Sequence, residues 1–397
     1  MKIKLGIFFG GKSVEHEIAV ITANQAYASI DKDKYEIIPI YISKKGEMYT
    51  GDNLFELSNY RDMNALLEKC TKVMLINDGG KVKVLRYPIK KFGENEINTI
   101  EVAFPIMHGT NGEDGTIQGY LELLGLPYVG CDIVSSAVGM DKIAMKKIIK
   151  ESGIPVVDYV AFYSMEYIQK EDELQDKIEK MGYPVIVKPG NLGSSVGIKK
   201  ARNRQELADA IDFAMQFSDR ILVEKAVVNL REINCSVIGD MVHCKPSVCE
   251  EPISTDEILS YADKYVGGGK GKMNSQGQKG MAASQKKLPA DLSEEKRKEI
   301  ENLAMETFKV LGANGVSRVD FLMDKDTEKV YVNEINTIPG ALSYYLWEAT
   351  GTSFKDELDE LVDLALKRKR NKDKMTFSYD QNILALNGKK LGSKGKI

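Results

Sequence analysis

Few structures are open to the stretch SRVDFLMDKDTEKVYVNEINTIPG, residues 317–340. Residues 316–323 alternate, with Val319, Phe321 and Met323 on one face and Arg318 and Asp320 on the other. A polar turn spans 324–329. The return strand, 330–336, puts Val332, Glu334 and Asn336 on a common face. A symmetric hairpin then sets Asp320 opposite Glu334. Facing carboxylates repel unless something cationic lies between them. Asp, Glu and Asn are oxygen ligands that suit Mg²⁺, which takes one or two carboxylates and completes its shell with water and phosphate oxygens. Arg318 beside a phosphate-bound metal can stabilise developing negative charge. The competing reading is a solvated hairpin with a surface ion pair.

The rest of the chain sets the frame. Its 397 residues suffice for about two to four domains. A hydrophobic content of 43% with 28% charged residues predicts a globular protein with a substantial core. A net charge of −3 argues against a general nucleic-acid surface. No apolar run reaches membrane-spanning length, so no membrane partner is expected. The opening MKIKLGIFFG imitates a short signal sequence, but Gly10 and Gly11 cut the apolar run, and a buried first strand is the better reading. The cysteines at 70, 131, 235, 244 and 249 form no CxxC or Cys/His ligand pattern; reduced thiols in a cytoplasmic protein are expected.

Along the chain, residues 4–9 predict a strand, followed by Gly10-Gly11 and a helix over 14–29. Free N–H groups at such a helix start favour a ligand. Glu15 there can hold an ammonium or simply complement the helix dipole. Residues 35–43 predict a second strand, and 44–98 are hard to place. Strand 101–107 ends in HGTNGEDG, a loop type that suits an active site at the carboxyl end of a parallel strand. One helix is expected over 135–149. Lys188 ends a strand before the small-residue loop NLGSSVG, 191–197, whose N–H groups and hydroxyls can close over phosphates. Strand 221–225 ends in Glu224-Lys225, one acceptor and one donor at a strand end. Residues 232–239 and 241–248 predict an antiparallel pair. The glycine-rich 260–284 reads as a lid or as a disordered surface insertion. Helices follow over 293–311, capped by Ser293, and over 354–366. The basic run 367–374 reads as a solvated helix terminus, and 375–397 as a polar tail.

In this order the pieces resemble the D-alanine–D-alanine ligases of the ATP-grasp superfamily. The resemblance is carried by GGKSVEHE (10–17), HGTNGEDGTIQG (108–119), MDK (140–142), VKPGNLGSSVG (187–197), VEK (223–225), DKY (263–265), SRVDF (317–321) and NEINTIPG (333–340). It spans roughly residues 3–366. The implied fold is a Rossmann-like α/β N-terminal domain with a parallel sheet (1–131), then an α+β ATP-grasp fold in two subdomains (132–226 and 227–368). Implied ATP contacts are Lys142, Lys188, Gly193, Ser194, Ser195, Glu224, Lys225 and Lys264, with Glu232 on the ribose. Asp320, Glu334 and Asn336 are implied ligands of two Mg²⁺, with Mn²⁺ as a substitute. Glu15 would hold the ammonium of the first amino acid, with His108 nearby. Ser194 and Tyr265 would link to Glu15 and fasten the lid. Arg318 and the Gly340 N–H would face the oxyanion. A homodimer acting on D-alanine and ATP is likewise implied by the resemblance.

The sequence departs from the family pattern after Gly340. Where a serine commonly helps bind the carboxylate of the second amino acid, Tyr345 stands, and Ser343 is the nearer substitute. One extra residue separates Lys225 from Glu232. The main expectation is D-alanyl-D-alanine synthesis for peptidoglycan. Alternatives are the same chemistry with D-serine, D-lactate or another amino acid as second substrate, a non-catalytic nucleotide-binding module, and a scaffold that engages partners through 367–374.

Overall fold

The computed structural model describes residues 2–193, 196–253 and 286–378. The expected lid 260–284, with Lys264 and Tyr265, lies outside the described residues, as do Ser194, Ser195 and most of the tail.

The chain builds three sheets in sequence. The first has seven strands: β1 (Ile3–Gly10), β2 (Tyr35–Ile42), β3 (Met48–Thr50), β4 (Thr71–Asp78), β5 (Lys81–Arg86), β6 (Glu96–Ile100) and β7 (Val102–Ile106), in the order β6-β5-β4-β3-β2-β1-β7. Its helices are α1 (His16–Ser29), α2 (Met63–Glu68) and α3 (Thr116–Leu123). β1 pairs in parallel with β2 and β7, which cover both its edges, and its two faces pack into separate clusters, Leu5, Ile7 and Phe9 in one and Phe8 in the other, so residues 5–10 are all buried. The stretch that was hard to place, 44–98, supplies four antiparallel strands. The sheet is therefore mixed, and parallel only where the glycine-rich and HGTNGEDG loops emerge. β4 and β5 alternate in burial too weakly, and between too many charges, to stand out in the sequence.

Next come α4 (Ile133–Met140) and α5 (Lys142–Glu151), where one helix was expected. Asp141 divides them. Its carboxylate accepts from the N–H groups of Ile143 and Ala144, an N-cap that starts the second helix afresh. The second sheet, β10-β9-β11-β8, comprises β8 (Tyr159–Tyr163), β9 (Val185–Pro189), β10 (Lys199–Ala201) and β11 (Arg220–Lys225). It is backed by α6 (Ser164–Gln169), α7 (Glu171–Glu179) and α8 (Arg204–Met215). The third, β14-β13-β12-β15-β16, comprises β12 (Leu230–Gly239), β13 (Cys244–Pro252), β14 (Lys286–Lys287), β15 (Gly315–Asp324) and β16 (Val330–Asn336). Its helices are α9 (Glu294–Val310), α10 (Tyr344–Thr350) and α11 (Phe354–Lys372). The Ser293 cap of α9 forms as expected, accepting from the Lys296 N–H.

The cores do not follow the three sheets one to one. Leu5, Ile7, Phe9 and Phe104 of the first sheet share a cluster with Val316, Ile338, Trp347, Leu358 and Leu361. The second sheet has its own core, including Val187, Leu207, Ile211 and Ile221. Met145 and Ile149 of α5 pack with Ile233, Val319 and Phe321 on the third sheet. The basic run is less solvated than its composition suggests. Arg368 donates to the carbonyls of Gly130 and Tyr128 and lies over the Tyr128 ring, and Lys372 pairs with Glu122. Among the described residues, no helix is long and apolar enough to cross a membrane.

Candidate active site

The β15–β16 hairpin brings the expected pair together, but through a β-bulge: Phe321 pairs with Val332 and Asp320 with Glu334, so Asn333 is the extra residue, and Val332, expected on one face with Glu334 and Asn336, is buried in the core instead. Asp320 pairs with Glu334 and Arg318 with Asn336, while Val319, Phe321 and Met323 are buried beneath. On the other side of β15, Asp320 pairs with Asn234 of β12, which pairs in turn with Glu250 of β13. Four neighbouring strands thus carry one polar row: Glu250, Asn234, Asp320, Glu334. Arg318 is buried. Its Nε lies 2.6 Å from Asp320 Oδ1 and its Nη2 2.8 Å from Oδ2. This bidentate pair fixes the planes of both groups. Burial works against the Arg318 charge, yet Asp320 holds the guanidinium firmly protonated. Asn336 Nδ2 donates to Asp320 Oδ2 at 3.0 Å. No group of three His, Cys, Asp or Glu side chains converges among the described residues. Two carboxylates and an amide fit a hard cation that draws its remaining ligands from substrate phosphate and water.

A second cluster joins this row to the second sheet. Lys142, the first residue of α5, lies 3.0 Å from Glu334 Oε2 and donates to the Leu192 carbonyl at 2.9 Å. Lys188 on β9 lies 2.5 Å from Glu224 Oε2 and donates to Asn333 Oδ1 at 3.1 Å. Lys146, one turn after Lys142, lies 2.7 Å from Glu224 Oε1. Lys146, Lys188 and Glu224 are all buried. Burial pushes the Glu224 carboxyl up, but the two ammonium groups outweigh it and hold the pKa down at about 2. Burial and the neighbouring Lys188 depress Lys146 despite Glu224. Lys188 ends above its ordinary value: burial opposes its charge, while Glu224, Glu334 and Glu232 favour it. Glu232 is therefore within electrostatic reach of the cluster. Lys225 is not a member. As the next residue on the strand it points the other way, and it donates to the carbonyls of Gly182 and Tyr183.

Glu15 and His108 meet at the loops leaving β1 and β7. A Cβ on Gly109, whose φ is +69°, would lie 2.5 Å from Glu15 Oε2, and one on Gly193 would lie 3.2 Å from it. Glycine at both positions lets two backbone segments approach the buried carboxylate. His108 has both ring nitrogens bound to protein. Its Nδ1 donates to the Ile338 carbonyl at 2.8 Å, which assigns the proton to Nδ1. Nε2 then accepts from the Thr22 hydroxyl at 3.0 Å, and Thr22 Oγ1 accepts from the Ala341 N–H. Burial lowers the His108 pKa against the pull of Glu15, so the ring is neutral at neutral pH. Glu113 accepts from the N–H groups of Gly109 and Ile338. Burial, assisted by the Glu15 charge, raises its pKa to about 7.

These bonds hold the turn after Gly340, where Ala341, Leu342 and Ser343 take φ of +52°, +52° and +58°. Successive left-handed residues with side chains cost on the order of 1–3 kcal/mol each and persist only where surroundings impose them. Ser343 Oγ is buried and has no hydrogen-bond partner among the described residues. Tyr345 donates its hydroxyl to Glu250 at 2.8 Å, so that hydroxyl is committed within the protein. Sequence reading missed Lys146, Glu113, Thr22, Asn234 and Glu250. Lys146 had a signal, lying at i+4 from Lys142 and so on the face of the buried Ile143, Met145 and Ile149, unlike its neighbour Lys147. Thr22 and Asn234 had none, since their partners are distant in sequence.

Two family models match the chain: D-ala D-ala ligase N-terminus over residues 4–131 and D-ala D-ala ligase C-terminus over 148–363. A D-alanine–D-alanine ligase from Thermosipho melanesiensis is 41% identical over 385 residues, covering 97% of this chain and 99% of the relative. Another from Bacillus cytotoxicus is 36% identical over 386 residues, covering 95% and 99%. Among solved structures, the D-alanine-D-alanine ligase from Coxiella burnetii superposes with a TM-score of 0.75 at 30% identity, covering 94% of this chain and 96% of that one. The VanG D-Ala:D-Ser ligase from Enterococcus faecalis also gives 0.75 at 30% identity, covering 92% and 100%. The fold is that of an ATP-grasp enzyme, and the chain belongs to the D-alanine–D-alanine ligase family.

Proposed function

We propose that this protein is an ATP-dependent ligase that joins two D-alanine molecules into D-alanyl-D-alanine for peptidoglycan precursor synthesis. The observation that carries the reading is the register pair Asp320–Glu334 with Arg318 and Asn336 beside it, joined to Lys142 and Lys188. A carboxylate is a poor electrophile and must be activated. An oxygen of the first amino acid's carboxylate attacks the γ-phosphorus of ATP, the bond to ADP breaks, and an acyl phosphate forms. The amine of the second amino acid then attacks the acyl carbon, loses a proton, and expels phosphate.

Each residue meets a need of these steps. Lys142 and Lys188 bring positive charge to the ATP phosphates, and Gly193, Ser194, Ser195 and Lys264 cover them. Glu224 serves the adenine end and Glu232 the ribose, while the Lys225 side chain stays bound to the Gly182 and Tyr183 carbonyls. Glu15 holds the first ammonium, linked to Ser194 and Tyr265. Arg318 and the Gly340 N–H face the oxyanion of the tetrahedral intermediate; loss of one such donor typically costs about 10²–10³ in rate. His108 works by shaping the turn that presents Gly340, because both its ring nitrogens are bound to protein. Asp320, Glu334 and Asn336 would hold two Mg²⁺, with Mn²⁺ as a substitute. Metal bound there neutralises phosphate oxygens. The same reading makes the protein a cytoplasmic homodimer with small-molecule substrates and no nucleic-acid or membrane partner. Its five free cysteines support a reducing compartment.

A second reading replaces the second D-alanine by D-serine or another acceptor. Two observations favour it: the Tyr345 hydroxyl is bound to Glu250, and one similar structure is a D-Ala:D-Ser ligase. ADP release with Mg-ATP against a panel of D- and L-amino acids and D-lactate, with products identified by mass, decides between them. D-alanine alone giving the dipeptide supports the first reading. Turnover only with a different second substrate supports the other, and no turnover with any pair overturns both. Glu334→Ala should fold yet lose turnover, and a fully active variant would refute the metal assignment.

A further inference from the structure

We infer that Lys286 is a substrate-binding residue that takes the carboxylate of the second, attacking amino acid. The inference rests on the ligase reading of this site. The attacking amino acid carries a carboxylate at neutral pH, and its amine must reach the acyl carbon that Arg318 faces. A buried carboxylate needs a cation with free donors. The cations of this face already described are engaged: Arg318 is bidentate on Asp320, Lys142 is on Glu334 and the Leu192 carbonyl, and Lys188 is on Glu224 and Asn333.

Lys286 differs. Its side chain is only 14% exposed, and its buried Nζ has no partner within hydrogen-bond distance among the described residues. An ammonium carries three donors, so this is an unusual state for one. Its Nζ lies 3.2 Å from the centroid of the Tyr345 ring and 3.6 Å from Glu250 Oε2. The ring and the Glu250 carboxylate hold the charge in place and leave N–H donors of the ammonium to spare. Glu250 cannot swing to meet it freely, because Oε1 accepts from both the Tyr345 hydroxyl and Asn234 Nδ2. Lys286 is within electrostatic reach of Arg318, which ties it to the reacting end of the row. Tyr345 is thereby a positioning residue: its ring seats the ammonium, and its hydroxyl steers Glu250.

The experiment compares Lys286→Met with wild type using D-alanine as first substrate and either D-alanine or D-alaninamide as second. D-alaninamide lacks the carboxylate. Loss of one charge-assisted contact should raise the KM for the second D-alanine on the order of 10- to 100-fold. The KM for ATP, the KM for the first D-alanine and kcat/KM with D-alaninamide should stay at wild-type values. Lys286→Arg should restore most of the affinity. Tyr345→Phe, which keeps the ring, should change the same KM far less than Lys286→Met. Lys286→Gln covers the case of an unstable methionine variant and should show the same selective rise. An unchanged KM for the second D-alanine, or an equal loss with D-alaninamide, overturns the assignment. Wild-type protein that releases no ADP with D-alanine would instead overturn the ligase reading itself.

Discussion

Replacing Glu224 by glutamine removes the negative charge that lies between the ammonium groups of Lys146 and Lys188, 2.7 and 2.5 Å away. The size of the effect follows from the environment. The carboxyl is held at about 2 against an ordinary 4.5. At about 1.4 kcal/mol per pH unit, that is worth roughly 3 kcal/mol of stability at neutral pH. Breaking a buried ion pair typically costs about 3–5 kcal/mol, so two independent routes agree. For a domain of this size the expected drop in Tm is about 6–12 °C. The sign of the pH dependence is fixed. The folded pKa of Glu224 lies below its unfolded value, so its contribution is complete above about pH 4.5 and is lost as pH falls toward 2. Without Glu224, Lys146 faces Lys188 with no compensation, and its already depressed pKa falls further. The variant should therefore gain more stability than wild type as pH rises from 7 to 9. Lys146→Met should cost less, because Glu224 keeps Lys188. Thermal unfolding followed by circular dichroism from pH 3 to 9 measures all three curves. A Glu224→Gln protein as stable as wild type at pH 7, or one that gains no more stability than wild type between pH 7 and 9, would refute the reasoning.

Three further outcomes are expected. Thr22→Val orphans His108 Nε2 and the Ala341 N–H, so it should cost about 1–3 kcal/mol and lower kcat more than it raises the KM for ATP, as steady-state ADP release would record. Glu113 binds its proton more tightly folded than unfolded, so stability should fall as pH rises from 4.5 through about 7. In Glu113→Gln that part of the slope should vanish, and Tm curves that stay parallel between pH 5 and 8 would contradict it. Arg368→Ala removes donors to the Gly130 and Tyr128 carbonyls, and it should lower Tm by a few degrees with kcat unchanged; an undiminished Tm would show that the basic helix end is solvated after all.

What the sequence disclosed depended on how local the cause was. The β15–β16 hairpin was legible because alternation and one polar turn mark two paired strands, but the bulge at Asn333 that sets Asp320 opposite Glu334 and sends Val332 into the core was not. The α9 cap was legible for the same reason. The break at Asp141 was not, because an aspartate between two apolar stretches reads equally as an exposed helical residue and as a cap. Strands β3–β6 escaped because an antiparallel edge with one wet face tolerates charge at nearly every second position. At the site, side chains of expected chemistry could be named from their motifs, but their partners could not. Tyr345 meets Glu250 across 95 residues of sequence, and His108 meets Ile338 across 230. Only the packing of the sheets brings such pairs together.

The polar row across β13, β12, β15 and β16 has a consequence for how this sequence can change over time. Its members sit on adjacent strands held by backbone hydrogen bonds, so their spacing is a property of the ladder and not of the side chains. Lengthening the turn at 325–329 by a residue leaves every partner in place. Inserting one residue between Ser317 and Asp320 rotates Asp320 into the apolar core and turns Val319 out beside Glu334. Variation in length should therefore collect at the hairpin tip, while within the strands an added residue is tolerated only where a bulge absorbs it, as at Asn333, and exchange of one side chain for another is the freer change.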